Sequence, residues 1–436
     1  MELPAGYRHL ETTAAAAVAR IPAGARIGMA LGVGQPPALL RALADRAASG
    51  EVGGLSVYYL LATAIAGRTI LAPPLRHAIR PVSLFHSAID RAWDQALPAD
   101  DAVDLIPTPF SAAPHVLSHL VDADVLLATV SPPDATGHVS LGTNTDYALA
   151  LAHSARLVLL EINRHMPRVA GNCQVPLSRA SAVVRHDAPL LEIPAVPPRP
   201  ADLAIGAHIA ALARDGDCLQ MGIGAVPDAV CAALAGHRHL GIHTELLPPG
   251  LAALMRAGVV DNSRKSLHVG KTVFTFAMGD AAHYAWMNDN PALEAHPVDY
   301  TNDPGVIARN PNLLSVNVTL EIDLSGACNS EFCQGRQYSA AGGQHDFVRG
   351  ATASPGGRSV IACHATAAGG RVSRIVPRLS GPVTVPRNDI DHVATEFGLV
   401  RLRGKTLRER ARALIGLAHP DFRDALEAAA RGGFPD

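Results

Sequence analysis

Two α/β domains with mostly parallel sheets are predicted by three features of the chain. Short apolar strand-like runs alternate with Ala/Leu-rich helical runs, the pattern of βαβ units. Glycine turns stand between strand and helix at Gly32-Val33-Gly34 and again at Gly222-Ile223-Gly224. A proline-rich segment, Pro189 to Pro200 (PLLEIPAVPPRP), divides the sequence near its middle. Proline disfavours both helix and central strand, so the segment reads as a linker. This places an N-terminal domain over 1–193 and a C-terminal domain over 194–436.

Composition sets the outer bounds. The 436 residues suffice for two domains with sizeable cores. A hydrophobic share of 48% with 17% charged residues is that of a globular protein. A formal net charge of -2 argues against nucleic acid or an anionic membrane as the main partner. No apolar run reaches the roughly 18 residues of a membrane span. The N-terminal MELPAGYRHLETTAAAAVAR carries acids and a polar start, unlike a secretory signal. The six scattered cysteines form no CxxC pair, which fits reduced, mostly buried thiols in a cytoplasmic protein.

Arg26 to Asp45 (RIGMALGVGQPPALLRALAD) reads as strand, glycine turn and helix. Leu55–Leu61, Asp104–Ile106, Asp124–Val130 and Leu157–Ile162 read as further strands of the first half, with a helix from about Asp146. A helix over Ala201–Arg214 opens the second half. The stretch Asp215–Gly250 then repeats strand, glycine turn, helix and strand. Laid on the first copy, Gly32 falls on Gly222 and Pro37 on Pro227, which suggests an internal duplication. In that alignment Glu245 falls on Leu55, so only the second copy carries an acid. Pro227 suits a first helical turn and Gly236 a C-cap. Lys271–Ala277, Leu314–Val318 and Ser359–Cys363 read as strands, and Ala327–Ala351 as a long irregular loop of the kind that carries function. Thr406–Leu417 and Asp421–Arg431 read as closing helices.

Ligands of open parallel sheets sit beyond the carboxyl ends of strands, so Glu245 and the Gly222 turn should open on one crevice. A glutamate at a strand end is ordinarily a solvated surface acid. The apolar strand before Glu245 and Pro248-Pro249-Gly250 after it favour a nucleophile or base. The spacing equally fits a dinucleotide site, with Glu245 as a ribose ligand, although the turn is G-x-G-x-x-P. Ser339 to Gln344 (SAAGGQ) is a second glycine loop, able to present backbone N–H groups to an oxyanion or to form a plain surface turn. His115 with His119, and His237, His239 and His243, lack the HExxH or CxxC partners of a metal site, so none is expected. No G-x-S-x-G elbow is present.

Seven segments, taken together, resemble one family: Ser131–Tyr147, Glu161–Asn172, Met221–Val230, Leu240–Leu246, His296–Pro304, Ser339–Ala351 and Val393–Ala411. In this order they are similar to the acetyl-CoA hydrolase/transferase family. The resemblance implies two CoA-transferase-type α/β domains with the active site at their interface. It implies Glu245 as the catalytic nucleophile, with the Asn302 side-chain amide and the Gly343 N–H as the oxyanion hole. Coenzyme A enters as substrate rather than as a tightly bound cofactor. Its pantetheine arm is expected against Gly222, Ile223, Gly224, Ala225 and Val226, and against Ser339, Gly342 and Gln344. Acetyl- or succinyl-CoA are the implied donors. Itaconate, 4-hydroxybutyrate or butyrate are the implied acceptors, with acyl-CoA hydrolysis as the alternative. Arg26–Pro37 and Leu75–Ile89 match the family loosely, while Val57–Asp146 leans toward its short-chain dicarboxylate branch. A homodimer or homotetramer is implied. At an ordinary pKa of about 4.3 the nucleophile would be ionised at neutral pH with no base beside it.

Overall fold

The computed structural model describes residues 3–194 and 196–431. Met1 and Glu2 of the N-terminal stretch and Ala195 of the linker lie outside them. The chain forms two compact units. The first runs to Pro194 and takes in Val273–Thr301; the second holds the residues up to Thr272 and those from Asn302 onward. The first crossing falls inside the proline-rich segment, whereas no change of composition marks the return at Val273.

The first unit is built on a seven-stranded parallel sheet. Its strands are β1 (Arg26–Met29), β2 (Leu55–Leu60), β3 (Ile79–Phe85), β4 (Asp104–Leu105), β5 (Val125–Val130), β6 (Leu157–Ile162) and β7 (Ala182–Arg185). Their order is β7-β6-β5-β1-β2-β3-β4. Strands buried on both faces should be apolar throughout, and every residue of β5 is buried. Helix α1 (Pro37–Ala48) turns Leu39, Leu40, Leu43 and Ala47 into the core that Ile27, Val57 and Tyr59 line. The Ala38 and Leu39 N–H groups at its start donate to Glu161 Oε2 at 2.9 and 3.0 Å. The chain's own carboxylate thus occupies that helix terminus, and burial pushes its pKa up to about 7.

The second unit carries β8 (Cys218–Met221), β9 (Gly241–Ile242), β10 (Leu313–Val318), β11 (Arg358–Ala362), β12 (His392–Thr395) and β13 (Gly398–Arg401). The order is β9-β8-β10-β11-β12-β13, parallel except for the terminal β12–β13 hairpin. The run β2-β1-β5-β6-β7 therefore recurs as β9-β8-β10-β11-β12, so the duplication is one of topology. Pairing corrects its alignment. Gly28 lies opposite Tyr58, and Cys218 opposite Gly241. Counting on from those pairs puts Ala62, not Leu55, where the second unit has Glu245. The two βα connections differ in length, so a linear match drifts through them.

Three other expectations change. Helix α2 (Ala225–Ala233) does hold Pro227 in its first turn, but its C-cap is Leu234 in a right-handed conformation rather than Gly236. Lys271–Ala277 is two short strands, Thr272–Phe274 and Phe276–Ala277. They part at Thr275, whose carbonyl accepts from the Thr145 and Asp146 N–H groups. Ala327–Ala351 is ordered: Asn329 Oδ1 accepts from the Glu331 and Phe332 N–H groups, a small hairpin pairs Phe332–Cys333 with Arg336–Gln337, and a helix starts at Gln344. The closing helices are Leu407–Leu417, opened by a Thr406–Glu409 capping box, and Pro420–Arg431. Among the described residues no helix is long and apolar enough to cross a membrane.

Candidate active site

Glu245 is delivered by the edge strand of the second sheet. The β8–β9 ladder ends where the His243 N–H donates to the Leu219 carbonyl at 3.1 Å, two residues before the acid. Side chains satisfy the outer backbone of β9: the Ile242 N–H donates to Asn262 Oδ1 at 2.9 Å, and Lys265 Nζ donates to the Ile242 carbonyl at 2.8 Å. These bonds satisfy the outward-facing backbone of Ile242 on this edge strand. Buried Thr244 donates its hydroxyl to the Leu246 carbonyl at 2.9 Å, across Glu245, and lies 3.4 Å from the Met221 backbone nitrogen. One side chain thus ties the backbone on either side of Glu245 to the last residue before the Gly222 turn. Sequence reasoning assigned Thr244 no role. A hydroxyl beside an acid at a strand end was the available signal, because short hydroxyl side chains bond nearby backbone.

The two expected oxyanion donors come to Glu245. Fully buried Asn302 precedes Asp303, which caps helix α3 (Pro304–Ala308) by accepting from the Val306 N–H at 2.8 Å. Asn302 Nδ2 donates to Glu245 Oε2 at 2.6 Å. Gly343 caps helix α4 (Gln344–Ala353), and its N–H also donates to the Glu245 carboxylate. Helices α3 and α4 pack so closely that a Cβ on Gly350 would overlap the side chain of buried Ile307. Ile307, Phe347 and Ala351 form one small core with Cys218 and Leu313, and the His243 ring lies 6.3 Å from that of Phe347. The core beneath the site therefore joins the strand leading to Glu245 to the helices that follow Asn302 and Gly343. Gly343 itself has no room for a side chain: a Cβ there would fall on the Glu245 carboxylate and the Asn302 amide.

The electrostatics depart from expectation. Burial, reinforced by the charge of Asp346 in the first turn of α4, pushes the Glu245 pKa up to about 7, against the pull of Asn302 and the Gly343 N–H. The carboxyl is not fully ionised at neutral pH, as an ordinary glutamate would be. Asp346 too was missed by sequence reasoning.

The expected arm contacts divide. Gly222 and Ala225 are half-buried, Ile223 and Gly224 are exposed, and Val226 turns into the core. Gly224, at φ 109°, adopts a conformation open to glycine. Ser339 is half-buried and donates to the Ser330 carbonyl, while Gly342 and Gln344 are buried. The histidines singled out in the sequence have other neighbours. The His115 and His119 rings stack at 5.0 Å, His239 pairs with Asp261 at 2.7 Å, and His243 packs on Phe347. All six cysteines are free thiols, and five are buried.

Comparison with known proteins identifies the family. Residues 5–194 match the N-terminal and residues 279–430 the C-terminal domain of acetyl-CoA hydrolase/transferase. The chain is 40% identical to succinyl-CoA:cyclohexane-1-carboxylate CoA transferase of Geobacter metallireducens, over 98% of this chain and 96% of that one. It is 41% identical to 4-hydroxybutyrate coenzyme A transferase of Clostridium kluyveri, over 98% of each. Among solved structures, RipA from Yersinia pestis superposes with a TM-score of 0.95 at 49% identity, over 98% of both chains. The chain belongs to the acetyl-CoA hydrolase/transferase family of enzymes.

Proposed function

We propose that this enzyme is a CoA-transferase that passes CoA from an acyl-CoA to a short-chain carboxylic acid by way of Glu245. The observation that carries the reading is the Glu245 carboxylate held by Asn302 Nδ2 at 2.6 Å and by the Gly343 N–H. An ionised carboxylate is a nucleophile without a base, and thiolate and carboxylate leaving groups depart as anions, so no general acid is required. Glu245 attacks the thioester carbonyl. A C–O bond forms, the C–S bond breaks, and CoA leaves as thiolate from an acyl-glutamyl anhydride. The thiolate then attacks the Glu245 carboxyl carbon, expels the first acid as carboxylate and leaves a glutamyl-CoA thioester. An acceptor carboxylate runs both steps in reverse, and no proton is gained or lost over the cycle. Asn302 and Gly343 contact the glutamate's own carboxylate, which suits them to the oxyanion formed when thiolate adds there. Preorganised donors stabilise such charge strongly.

Acetyl- or succinyl-CoA serve as donors in this reading, and itaconate, 4-hydroxybutyrate or butyrate as acceptors. CoA is a substrate, and the working form is a cytoplasmic homodimer or homotetramer, testable by light scattering. The function is tested by mixing the protein with acetyl-CoA or succinyl-CoA and each acid. New acyl-CoA with ping-pong kinetics is expected. CoA release equally fast without added acid would make the protein a hydrolase instead.

A further inference from the structure

The free edge of the second sheet is closed by side chains where a further strand would stand. Strand β9 is the outermost strand, and the returning chain bridges it in parallel at Leu240 and Val260. The Leu240 carbonyl accepts from the Asp261 and Asn262 N–H groups at 3.2 and 3.1 Å. At Ile242, two residues further along β9, both outward backbone groups are met by side chains instead.

Both side chains are unusual for the places they hold. Asn262 is buried and stands at φ 57°, in the left-handed region that asparagine tolerates. Its Oδ1 accepts from the Ile242 N–H at 2.9 Å, and its Nδ2 donates to Thr272 Oγ1 at 3.0 Å. Its carbonyl accepts from the Gly270 N–H at 3.0 Å, so one asparagine closes the loop from 262 to 272 onto β9. Lys265 is 6% exposed, and its ammonium donates to the Ile242 carbonyl at 2.8 Å and to the Lys271 carbonyl at 2.7 Å. Burying an ammonium is costly, and a strand or a neutral donor would satisfy a carbonyl at less cost. Gly241 makes room for it: a Cβ there would lie 2.6 Å from Lys265 Cγ. A left-handed asparagine and a buried ammonium thus converge on one residue, three before Glu245. The adjoining residues are held on the inner side, where the Gly241 and His243 N–H groups donate to the Asp217 and Leu219 carbonyls. Asn302 Nδ2 reaches Glu245 at 2.6 Å. A slide of β9 by about 1 Å would stretch that bond past hydrogen-bonding range.

We propose that Lys265 and Asn262 are positioning residues of the transfer reaction: by bonding both backbone groups of Ile242 they clamp β9 along the sheet and so hold Glu245 against Asn302 and Gly343. The proposal rests on the CoA-transferase reading and specifies what keeps its nucleophile in place.

The test combines steady-state kinetics of the full chain with amide hydrogen exchange, read by mass spectrometry on the Leu240–Leu247 peptide. Lys265→Met keeps the stem and removes both bonds to carbonyls. Asn262→Gly keeps the left-handed backbone, which glycine adopts freely, and removes the amide. Each should lower kcat about 10²-fold, the cost of misplacing a reacting group by about 1 Å, and leave KM for acetyl-CoA unchanged. Each should also speed exchange in the peptide. Asn262→Asp retains an acceptor for the Ile242 N–H and should recover most of the kcat lost in Asn262→Gly. Wild-type kcat in either folded variant overturns the proposal, as does a loss confined to KM or an Asn262→Asp protein no better than Asn262→Gly. If Lys265→Met does not fold, the two Asn262 variants decide. A wild type that transfers CoA to none of the acids would reject the transferase reading instead. Exchange then decides on the clamp: unchanged rates in the peptide overturn it, and faster ones keep it.

Discussion

The raised Glu245 pKa makes a kinetic prediction that an ordinary glutamate would not. With a pKa of about 7, the nucleophilic carboxylate is a minor species at pH 6 and dominant at pH 8. The ionised fraction rises from roughly a tenth to roughly nine tenths over those two units, so kcat/KM for the acyl-CoA donor should climb about tenfold and then level off. Asp346 contributes to the shift, and Asp346→Asn should move the rising limb to lower pH. The assay is kcat/KM for acetyl-CoA with a fixed saturating acid, measured from pH 5.5 to 8.5 in buffers of constant ionic strength. A profile flat from pH 5.5 upward would refute the argument, because it would mean that Glu245 ionises like a solvated carboxylate.

The same shift affects stability. The folded state keeps the Glu245 proton that the unfolded chain releases near the ordinary value of 4.5. Its contribution is therefore full below pH 4.5 and is lost as pH rises to about 7. Glu245→Gln should accordingly be more stable than wild type above pH 7, by at most about 3 kcal/mol at 1.36 per pKa unit, and should approach it below pH 4.5; urea denaturation at pH 4.5 and 8 measures this. Gly343→Ala should fold yet lose about 10²–10³ in kcat, the cost of an oxyanion donor, because its methyl group would displace the Glu245–Asn302 contact. Asn302→Ala should show a loss of similar size in kcat with little change in KM, and a change confined to KM would argue against an oxyanion role. Arg358→Met should cost about 3–5 kcal/mol in denaturant titrations, since it strands buried Asp217, now paired to Arg358 at 2.6 Å.

The central strands were legible in the sequence because they are short, buried apolar runs: Leu157–Ile162 has the same bounds in both readings, whereas Ile79–Phe85, Ala182–Arg185, His392–Thr395 and Gly398–Arg401 were not read as strands. The glycine turns were legible for a related reason, since few other residues permit the backbone of Gly224. Glu245, Asn302 and Gly343 were singled out through family motifs rather than spacing. They lie 57 and 41 residues apart in order along the chain, and only the packing of α3 on α4 explains why they meet. The pKa of Glu245 was illegible, because burial and the Asp346 charge are properties of the assembled site. The return of Val273–Thr301 to the first unit was equally hidden, because a segment that changes units keeps the same apolar pattern.

The central claim is that CoA becomes bonded to the carboxyl carbon of Glu245, and covalent trapping tests it most directly. Protein incubated with acetyl-CoA or succinyl-CoA, then treated with borohydride and digested, should show a mass change on the peptide carrying Glu245 as the glutamyl thioester is reduced to the alcohol. Intact mass before reduction should show added CoA. Glu245→Gln protein should show neither. A CoA adduct or reduction product on any other residue, or turnover with no modification of this peptide under single-turnover conditions, would contradict the account.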